Sequence, residues 1–248
     1  MDSASSWDGT LRLSEFYFAA RALSQKWKHM NHVLPPWTWF PCPRPSWAAS
    51  HEVEGYLSLE NVCYLRSNGE DPDRSCTSKE EPSYYKEELT DDATLVQSCD
   101  EEVHFYDFHI LYSGSYKVPV LYFRAYYSDG QPLALDDIEK DLPPNSLKIL
   151  RESKWTFITQ EEHPYLNRPW YTLHPCGTSE WVKLLFSGDS CNNEYVIEKY
   201  LISWLSVVGQ VVGLKIPLEM LKKAQLYPVS SSSSVNDGLS RWNPQEDC

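Results

Sequence analysis

Two alternating runs in the middle of the sequence most constrain how the chain can fold. Residues 104–112 and 117–127 alternate large apolar side chains with polar or smaller ones, which is the period of a half-buried β-strand. Ser113-Gly114-Ser115 between them reads as a turn. The two runs therefore predict antiparallel neighbours in a sheet. On the first strand one face carries Tyr106, Phe108, Ile110 and Tyr112, and the other carries Asp107 and His109.

The rest of the chain adds strands and helices around this pair. Residues 54–64 predict another strand and residues 155–159 a short fourth one, which gives an antiparallel four-stranded meander. Helical periodicity marks residues 10–30, with Ser14 as its cap, and residues 193–212. The whole predicts an α+β domain with N-terminal and C-terminal helices on one face of the sheet. Shorter helices are predicted at 133–142, 178–186 and 218–224, and a Pro- and Trp-rich connector at 33–47.

Charge is concentrated in one segment. The net charge is −13, and residues 70–102 hold twelve Asp or Glu against three Lys or Arg. No basic patch is evident, so nucleic acid is not an expected partner. We predict a single domain at 1–226, interrupted by a disordered acidic insertion at about 66–102. Residues 227–248, which include five consecutive serines, predict a disordered tail.

Cysteine usage favours a reduced compartment. The seven cysteines include no CxxC pair, and the N-terminus has no apolar signal-peptide core. We therefore expect free thiols and a cytoplasmic protein, with neither structural zinc nor another cofactor. The longest apolar run, residues 200–214, is too short for a comfortable membrane span and is interpreted as a core helix. Stable membrane insertion is not expected.

The stretch Trp170–Thr178 contains the candidate catalytic residue. A β-prone run ends at His174-Pro175, and Cys176 and Gly177 follow at once. Proline holds the preceding residue extended, and glycine permits a sharp turn, so Cys176 is expected on a stiff support at the end of a strand. This place suits a nucleophile that must accept a large substrate. The alternative is a buried structural cysteine, because free cysteine is among the most buried residue types.

These pieces, taken in order, resemble a known family. An N-terminal helix, an antiparallel meander and a cysteine after the last strand are the order of a ubiquitin-conjugating enzyme. The likeness is greater to the two autophagy conjugating enzymes numbered three and ten, both built around His-Pro-Cys. It covers roughly residues 12–215. Matching segments are Trp37-Thr38-Trp39, Glu54-Gly55-Tyr56-Leu57, residues 106–112 followed by Tyr116 and Pro119, Gln131-Pro132-Leu133, Glu162-His163-Pro164, His174-Pro175-Cys176 and the helix at 200–210.

The ten-type is the better match of the two. Gly177-Thr178 resembles the short polar pair of the ten-type, and the acidic, Ser-rich N-terminus is unlike the Lys-rich membrane helix of the three-type. The resemblance implies an enzyme that takes the autophagy modifier number twelve from the activating enzyme number seven. It would hold the modifier as a thioester on Cys176 and transfer it to a lysine of acceptor protein number five. The alternative is a three-type enzyme that lipidates modifier number eight.

Two further residues are candidates for supporting roles. Ubiquitin-conjugating enzymes place the asparagine of a His-Pro-Asn motif near the cysteine, and this sequence has no such motif. Asn167, three residues after His163-Pro164, is the nearest substitute; otherwise it caps a loop. His174 lies two residues before Cys176 and either activates the thiol or only supports Pro175. Thr178 or Ser179 is expected to cap the helix that follows.

Two other functions compete with conjugation. A non-catalytic module of the same fold would dock proteins through its aromatic surface. A cysteine hydrolase would use a Cys-His pair, but no third orienting residue occurs at a recognisable spacing. Cys63 is expected in the core of its strand, and Cys76, Cys99 and Cys248 in disordered segments.

Overall fold

A computed structural model describes residues 7–42, 54–66, 102–152, 158–187 and 193–221. Five helices and six strands occur in these ranges, followed by a single 3-10 turn at Leu218–Met220. In chain order they are α1 (Leu13–Met30), β1 (Thr38–Pro41), β2 (Gly55–Arg66), β3 (Glu102–Ser113), β4 (Val118–Tyr127), α2 (Leu135–Asp141), α3 (Pro144–Glu152), β5 (Ile158–Glu162), β6 (Pro169–Leu173), α4 (Thr178–Phe186) and α5 (Asn193–Val211).

The strands form one antiparallel sheet in the order β1-β2-β3-β4-β6-β5. The predicted α+β class and antiparallel meander are confirmed. Two strands are added to the four of the predicted meander. Strand β1 was not predicted and pairs with the start of β2, whereas β6 is the β-prone run expected before Cys176 and lies between β4 and β5. The Pro- and Trp-rich connector therefore contains an edge strand, a position that tolerates proline. Its Trp37 is buried, as expected of a segment packed onto the body.

The helices cover one face of the sheet and close the main core. Helix α1 begins at Leu13 with Arg12 at its N-cap, two residues before the predicted cap Ser14, and the Arg12 N–H donates to Glu15. Helix α5 confirms the predicted core helix, and Gly213 at its end has φ +74°. The two helices bury an apolar stripe against strands β2 to β4. The stripe of α1 consists of Phe16, Ala19, Ala20, Leu23 and Trp27, and that of α5 includes Tyr200, Leu201, Trp204 and Leu205.

A bulge in β2 reverses the alternation of its side chains. The register with β3 shifts between Leu59 and Val62, and Asn61 adopts φ +60° while its N–H donates to the Asp107 carboxylate. Val62 therefore points into the core, and Cys63 is exposed. The expectation that Cys63 lies in the core is wrong, because the extra residue moves it to the other face.

The second face of the sheet carries a smaller aromatic cluster. Asp107 and His109 lie on this face, as the alternation in β3 predicts, and Arg124 donates to Asp107 at 3.3 Å. The apolar members of the cluster are Tyr56, Leu111, Val120, Tyr122 and Trp170.

Helix α2 is fastened to the sheet by one buried carboxylate. Asp141 Oδ2 lies 2.6 Å from His104 Nδ1 and accepts a hydrogen bond from the Tyr106 hydroxyl at 2.6 Å. His104 and Tyr106 are 1% exposed, and the Asp141 side chain is 4% exposed. This network joins the last residue of α2 to the first half of β3.

The acidic insertion leaves and rejoins the sheet at one place. Arg66, the last residue of β2, is the register partner of Glu102, the first residue of β3. Between them, the predicted insertion lies outside the described residues, and so does the predicted tail at 227–248. The single domain at 1–226 stays a prediction.

Within the described ranges, none of the helices has the length and apolar character needed to cross a bilayer. The apolar run at 200–214 belongs mostly to α5, which packs in the core as predicted.

Candidate active site

Cys176 lies in the turn that joins β6 to α4, and its side chain is exposed. The turn is closed by a hydrogen bond from the Thr178 N–H to the Pro175 carbonyl at 3.2 Å. Gly177 has φ +73°, a left-handed conformation that costs a residue with a Cβ roughly 1–2 kcal/mol. The local sequence thus explains the geometry: β6 ends at Leu173, just before His174-Pro175, and the glycine reverses the chain into α4. The thiol is placed where a large substrate can reach it.

His174 contacts the backbone of Cys176. Its Nδ1 accepts a hydrogen bond from the Cys176 N–H at 3.2 Å. The ring is exposed and meets the ring of Tyr116 edge to face, with centroids 5.8 Å apart. The imidazole therefore fixes the cysteine turn, which fits the supporting role more closely than a direct proton transfer from the thiol.

Tyr116 was not singled out as a site residue by sequence reasoning. It lies in the turn between β3 and β4, and that turn is at the same sheet end as Cys176, because β6 runs antiparallel to β4. The Ser113-Gly114-Ser115 turn was visible in the sequence. Its proximity to the cysteine was not, since it depends on β6 pairing with β4.

Asn167 does not reach Cys176 in this structure. It has φ +50° in the loop between β5 and β6, and its N–H donates to the His163 carbonyl at 3.0 Å. Asn167 precedes β6 and Cys176 follows it, and a five-residue strand spans about 13 Å. The prediction that Asn167 stabilises the oxyanion is therefore not supported by this geometry. Asn167 lies in a loop at the opposite end of β6 from Cys176, which agrees with the alternative of a loop residue.

Thr178 is the first residue of α4, not its cap. Gly177 occupies the N-cap position, without a side-chain hydrogen bond, and Thr178 is 5% exposed. The expected capping role of Thr178 is therefore wrong, because the left-handed glycine begins the helix one residue earlier.

Among the described residues, Cys42, Cys63 and Cys176 form no disulfide. Burial raises the pKa of Cys42. Cys63 is exposed like Cys176 but lies within a strand, so it serves as a matched comparison. Cys76, Cys99, Cys191 and Cys248 lie outside the described residues. No group of three or more potential metal ligands occurs in the described part of the chain.

The loop that carries Asn167 rests on a buried pair of histidines. His163 Nδ1 accepts from the Tyr165 N–H at 3.3 Å, so its Nε2 carries the hydrogen and donates to His109 Nδ1 at 2.9 Å. The hydrogen of His109 is then on Nε2, which lies 3.5 Å from the Glu60 carboxylate. Burial lowers the pKa of His163 to about 4, and the nearby positive charge of Arg124 adds to this effect. The pKa of His109 is lowered to about 3 by burial and by the neighbouring His163 and Arg124.

This pair predicts a loss of stability in mild acid. The unfolded chain takes up protons near pH 6.5, whereas the folded pair resists protonation until about pH 4, so stability falls as the pH drops through this window. Urea unfolding at pH 7, 6 and 5 is expected to show a loss of about 4 kcal/mol from the pair between the first and the last of these pH values. The variant His163→Gln, which keeps one histidine, is expected to lose about half as much. Parallel pH dependences of the two proteins would contradict the interpretation.

Comparisons with known proteins agree with this geometry. The model of the family "Autophagocytosis associated protein, active-site domain" matches residues 15–219. The chain belongs to this family. The match includes both the Cys176 turn and the sheet that supports it.

The relatives carry a common name. A ubiquitin-like-conjugating enzyme ATG10 from Arabidopsis thaliana is 54% identical over 86% of this chain and 96% of its own length. ATG10 from Homo sapiens is 36% identical over 79% of this chain and 86% of its own. The predicted class, a ubiquitin-like-conjugating enzyme of autophagy with the α+β fold of that class, is confirmed.

The ten-type is confirmed over the three-type. An autophagy-related protein 3 from Candida glabrata is 30% identical, but over 38% of this chain and 29% of its own length. The crystal structure of the autophagic E2 Atg10 covers 83% of this chain and 99% of its own, with 15% identity. The TM-score between the two structures is 0.40.

Proposed function

We propose that the chain carries a ubiquitin-like modifier, autophagy protein twelve, as a thioester on Cys176. It receives the modifier from the activating enzyme number seven and transfers it to a lysine of acceptor protein number five. The observation that carries the proposal is the exposed thiol of Cys176 beyond β6, in a chain of this enzyme family. Cys42 and Cys176, which are not disulfide-bonded, fit a reducing cytoplasm as the place of action.

The chemistry consists of two acyl transfers. The Cys176 thiolate attacks the thioester carbonyl at the modifier's C-terminus, a new C–S bond forms, and the activating enzyme leaves as a thiolate. The unprotonated amine of an acceptor lysine then attacks the new thioester. Its proton goes to solvent, Cys176 leaves as a thiolate, and an isopeptide bond remains. Most of the rate enhancement in the second acyl transfer is expected to come from holding the amine and the thioester together.

The groups around Cys176 suit this chemistry. Asn167 is distant, and the N–H groups of Cys176 and Thr178 already donate to His174 Nδ1 and to the Pro175 carbonyl. The next N–H groups along the chain are those of Ser179 and Glu180, in the first turn of α4. N–H groups in a helix's first turn have no acceptor inside the helix, and the helix N-terminus favours negative charge. The oxyanion that forms when the thioester is attacked is such a charge. His174 holds the turn from the other side through the Cys176 N–H.

Modifier twelve is favoured over modifier eight. The long matches are to proteins named ATG10, and the sequence after the cysteine is of the ten-type. A non-catalytic module needs no exposed thiol beside a left-handed glycine. A hydrolase needs a base at the thiol, whereas His174 Nδ1 accepts from the backbone.

A charging assay tests the proposal. The chain is mixed with activating enzyme, ATP and modifier twelve and analysed by non-reducing electrophoresis. We expect an adduct that reducing agent removes, and a reductant-resistant conjugate once acceptor protein five is added. In the parallel reaction with modifier eight and phosphatidylethanolamine vesicles, no lipidated product is expected. A lipidated product there would assign the chain to the three-type reaction, and no adduct at all would reject catalysis.

The contact of His174 predicts a smaller effect on the same reaction. His174→Phe keeps an aromatic ring against Tyr116 but has no acceptor for the Cys176 N–H. We expect transfer to slow by about tenfold, because the cysteine turn is held less firmly. Thermal unfolding should be unchanged, since the side chain is exposed. Equal transfer rates for His174→Phe and the wild type would show that the histidine only supports Pro175.

A further inference from the structure

Helix α4 has an exposed apolar flank that the fold does not use. Its inner face is buried through Thr178 and Val182, and Phe186 packs against Trp7. On the outer side, however, Leu184 is 72% exposed and Leu185 is 49% exposed. Two neighbouring leucines left largely in water on a helix of nine residues are unusual for a surface that meets nothing.

The flank is continuous with a half-buried tryptophan. Trp181 precedes Leu184 by three residues and Leu185 by four, so the three side chains are neighbours on the helix surface. We call Trp181, Leu184 and Leu185 the α4 flank. The charged residues of the helix, Glu180 and Lys183, lie beside it. The result is an apolar patch with a polar border.

The position of the flank indicates what it meets. Side chains of a helix lean towards its N-terminus, and α4 begins two residues after Cys176. Leu184 lies about 9 Å along the axis from the first residue of the helix. A modifier linked to Cys176 through an extended tail, at about 3.3–3.6 Å per residue, has its folded body within reach of the flank after a few residues.

We propose that the α4 flank docks the folded body of the modifier while its C-terminus is linked to Cys176. This rests on the proposed function. The complementary surface on the modifier is an apolar patch of similar size. The contact can be small, because the linkage gives the modifier an effective concentration of roughly millimolar, and an interaction too weak to form between separate molecules is then populated.

The experiment uses the ester-linked conjugate of Cys176→Ser, in which the serine hydroxyl replaces the thiol. Methyl resonances of Leu184 and Leu185 are compared between the free and the charged protein by NMR. Leu218 is the internal control, because it is also 72% exposed but lies after α5, remote in sequence from Cys176. We expect charging to shift the Leu184 and Leu185 methyls at least about fivefold more than those of Leu218, independently of dilution.

Matched variants separate the possible occupants. Charging is expected to leave the Leu185 methyls of Leu184→Asp where they lie in the uncharged Leu184→Asp protein. In Leu218→Asp, charging is expected to shift the Leu185 methyls as it does without that substitution. The proposal is overturned if charging leaves the flank unshifted, if the shifts weaken on dilution, or if they appear only when activating enzyme or acceptor is added. If the wild type forms no thioester and Cys176→Ser no ester, it is the proposed function that fails instead.

Discussion

Replacing Cys176 by alanine is expected to abolish formation of the thioester and with it all transfer to the acceptor. The thiol is the atom that the modifier's carboxyl carbon bonds to, so no neighbouring group can substitute for it. We expect the rate of transfer to fall by at least about three orders of magnitude, as for the loss of a covalent nucleophile in other enzymes. Thermal unfolding should hardly change, because the side chain is exposed.

Two further variants make this result specific. Cys63→Ala removes another exposed thiol, one that lies within β2, and should leave charging at the wild-type rate. Cys176→Ser should accumulate an ester that survives reducing agent, because an alkoxide leaves less readily than a thiolate. The measurement is gel electrophoresis with and without reductant after charging. Transfer by Cys176→Ala at even a tenth of the wild-type rate would be incompatible with a thioester on this residue.

The largest loss of stability is expected for Asp141→Ala. The carboxylate is buried and binds both His104 and Tyr106 at 2.6 Å. Its removal leaves two buried polar groups without their partner and frees the end of α2 from the sheet. Breaking a buried polar pair in this way typically costs about 3–5 kcal/mol. For a domain of this size that corresponds to a fall of about 10 °C in Tm.

A surface pair on the same helix provides the control. Lys140 contacts Asp137 at 2.7 Å, but its side chain is 50% exposed, so Lys140→Ala should cost less than about 1 kcal/mol. In a double-mutant cycle, Tyr106→Phe should cost much less in the Asp141→Ala background than alone. The measurement is thermal and urea unfolding at pH 7.5. If Asp141→Ala unfolds at the same temperature as Lys140→Ala, the network does not stabilise the domain.

The site illustrates what the sequence can and cannot predict. The exposed Cys176 was predictable, because proline and glycine act locally: one ends the strand and the other reverses the chain. The role of Asn167 was not. Its spacing of nine residues from the cysteine is compatible with a hairpin that returns or with a strand that separates the two. Only the pairing of β5 with β6 shows that β6 lies between them.

The fold shows the same limit at two other places. Alternation along β3 and β4 predicted their faces correctly, since each strand continues without interruption. In β2 the alternation fails at Asn61, whose left-handed backbone is held by Asp107 from the neighbouring strand, 46 residues away. The prediction of β1 failed for a related reason. A four-residue segment rich in proline becomes a strand only through its pairing with β2.

The register of Arg66 with Glu102 has a consequence for how such a chain can diversify. The intervening segment departs from the sheet and comes back at adjoining positions, so its length does not set the pairing of β2 with β3. For a flexible connector between two paired strand ends, each doubling of its length costs only about 0.6 kcal/mol in closure entropy. A change in the number of residues between Arg66 and Glu102 is therefore compatible with the same strand pairing, and it falls at the end of the sheet opposite the thiol.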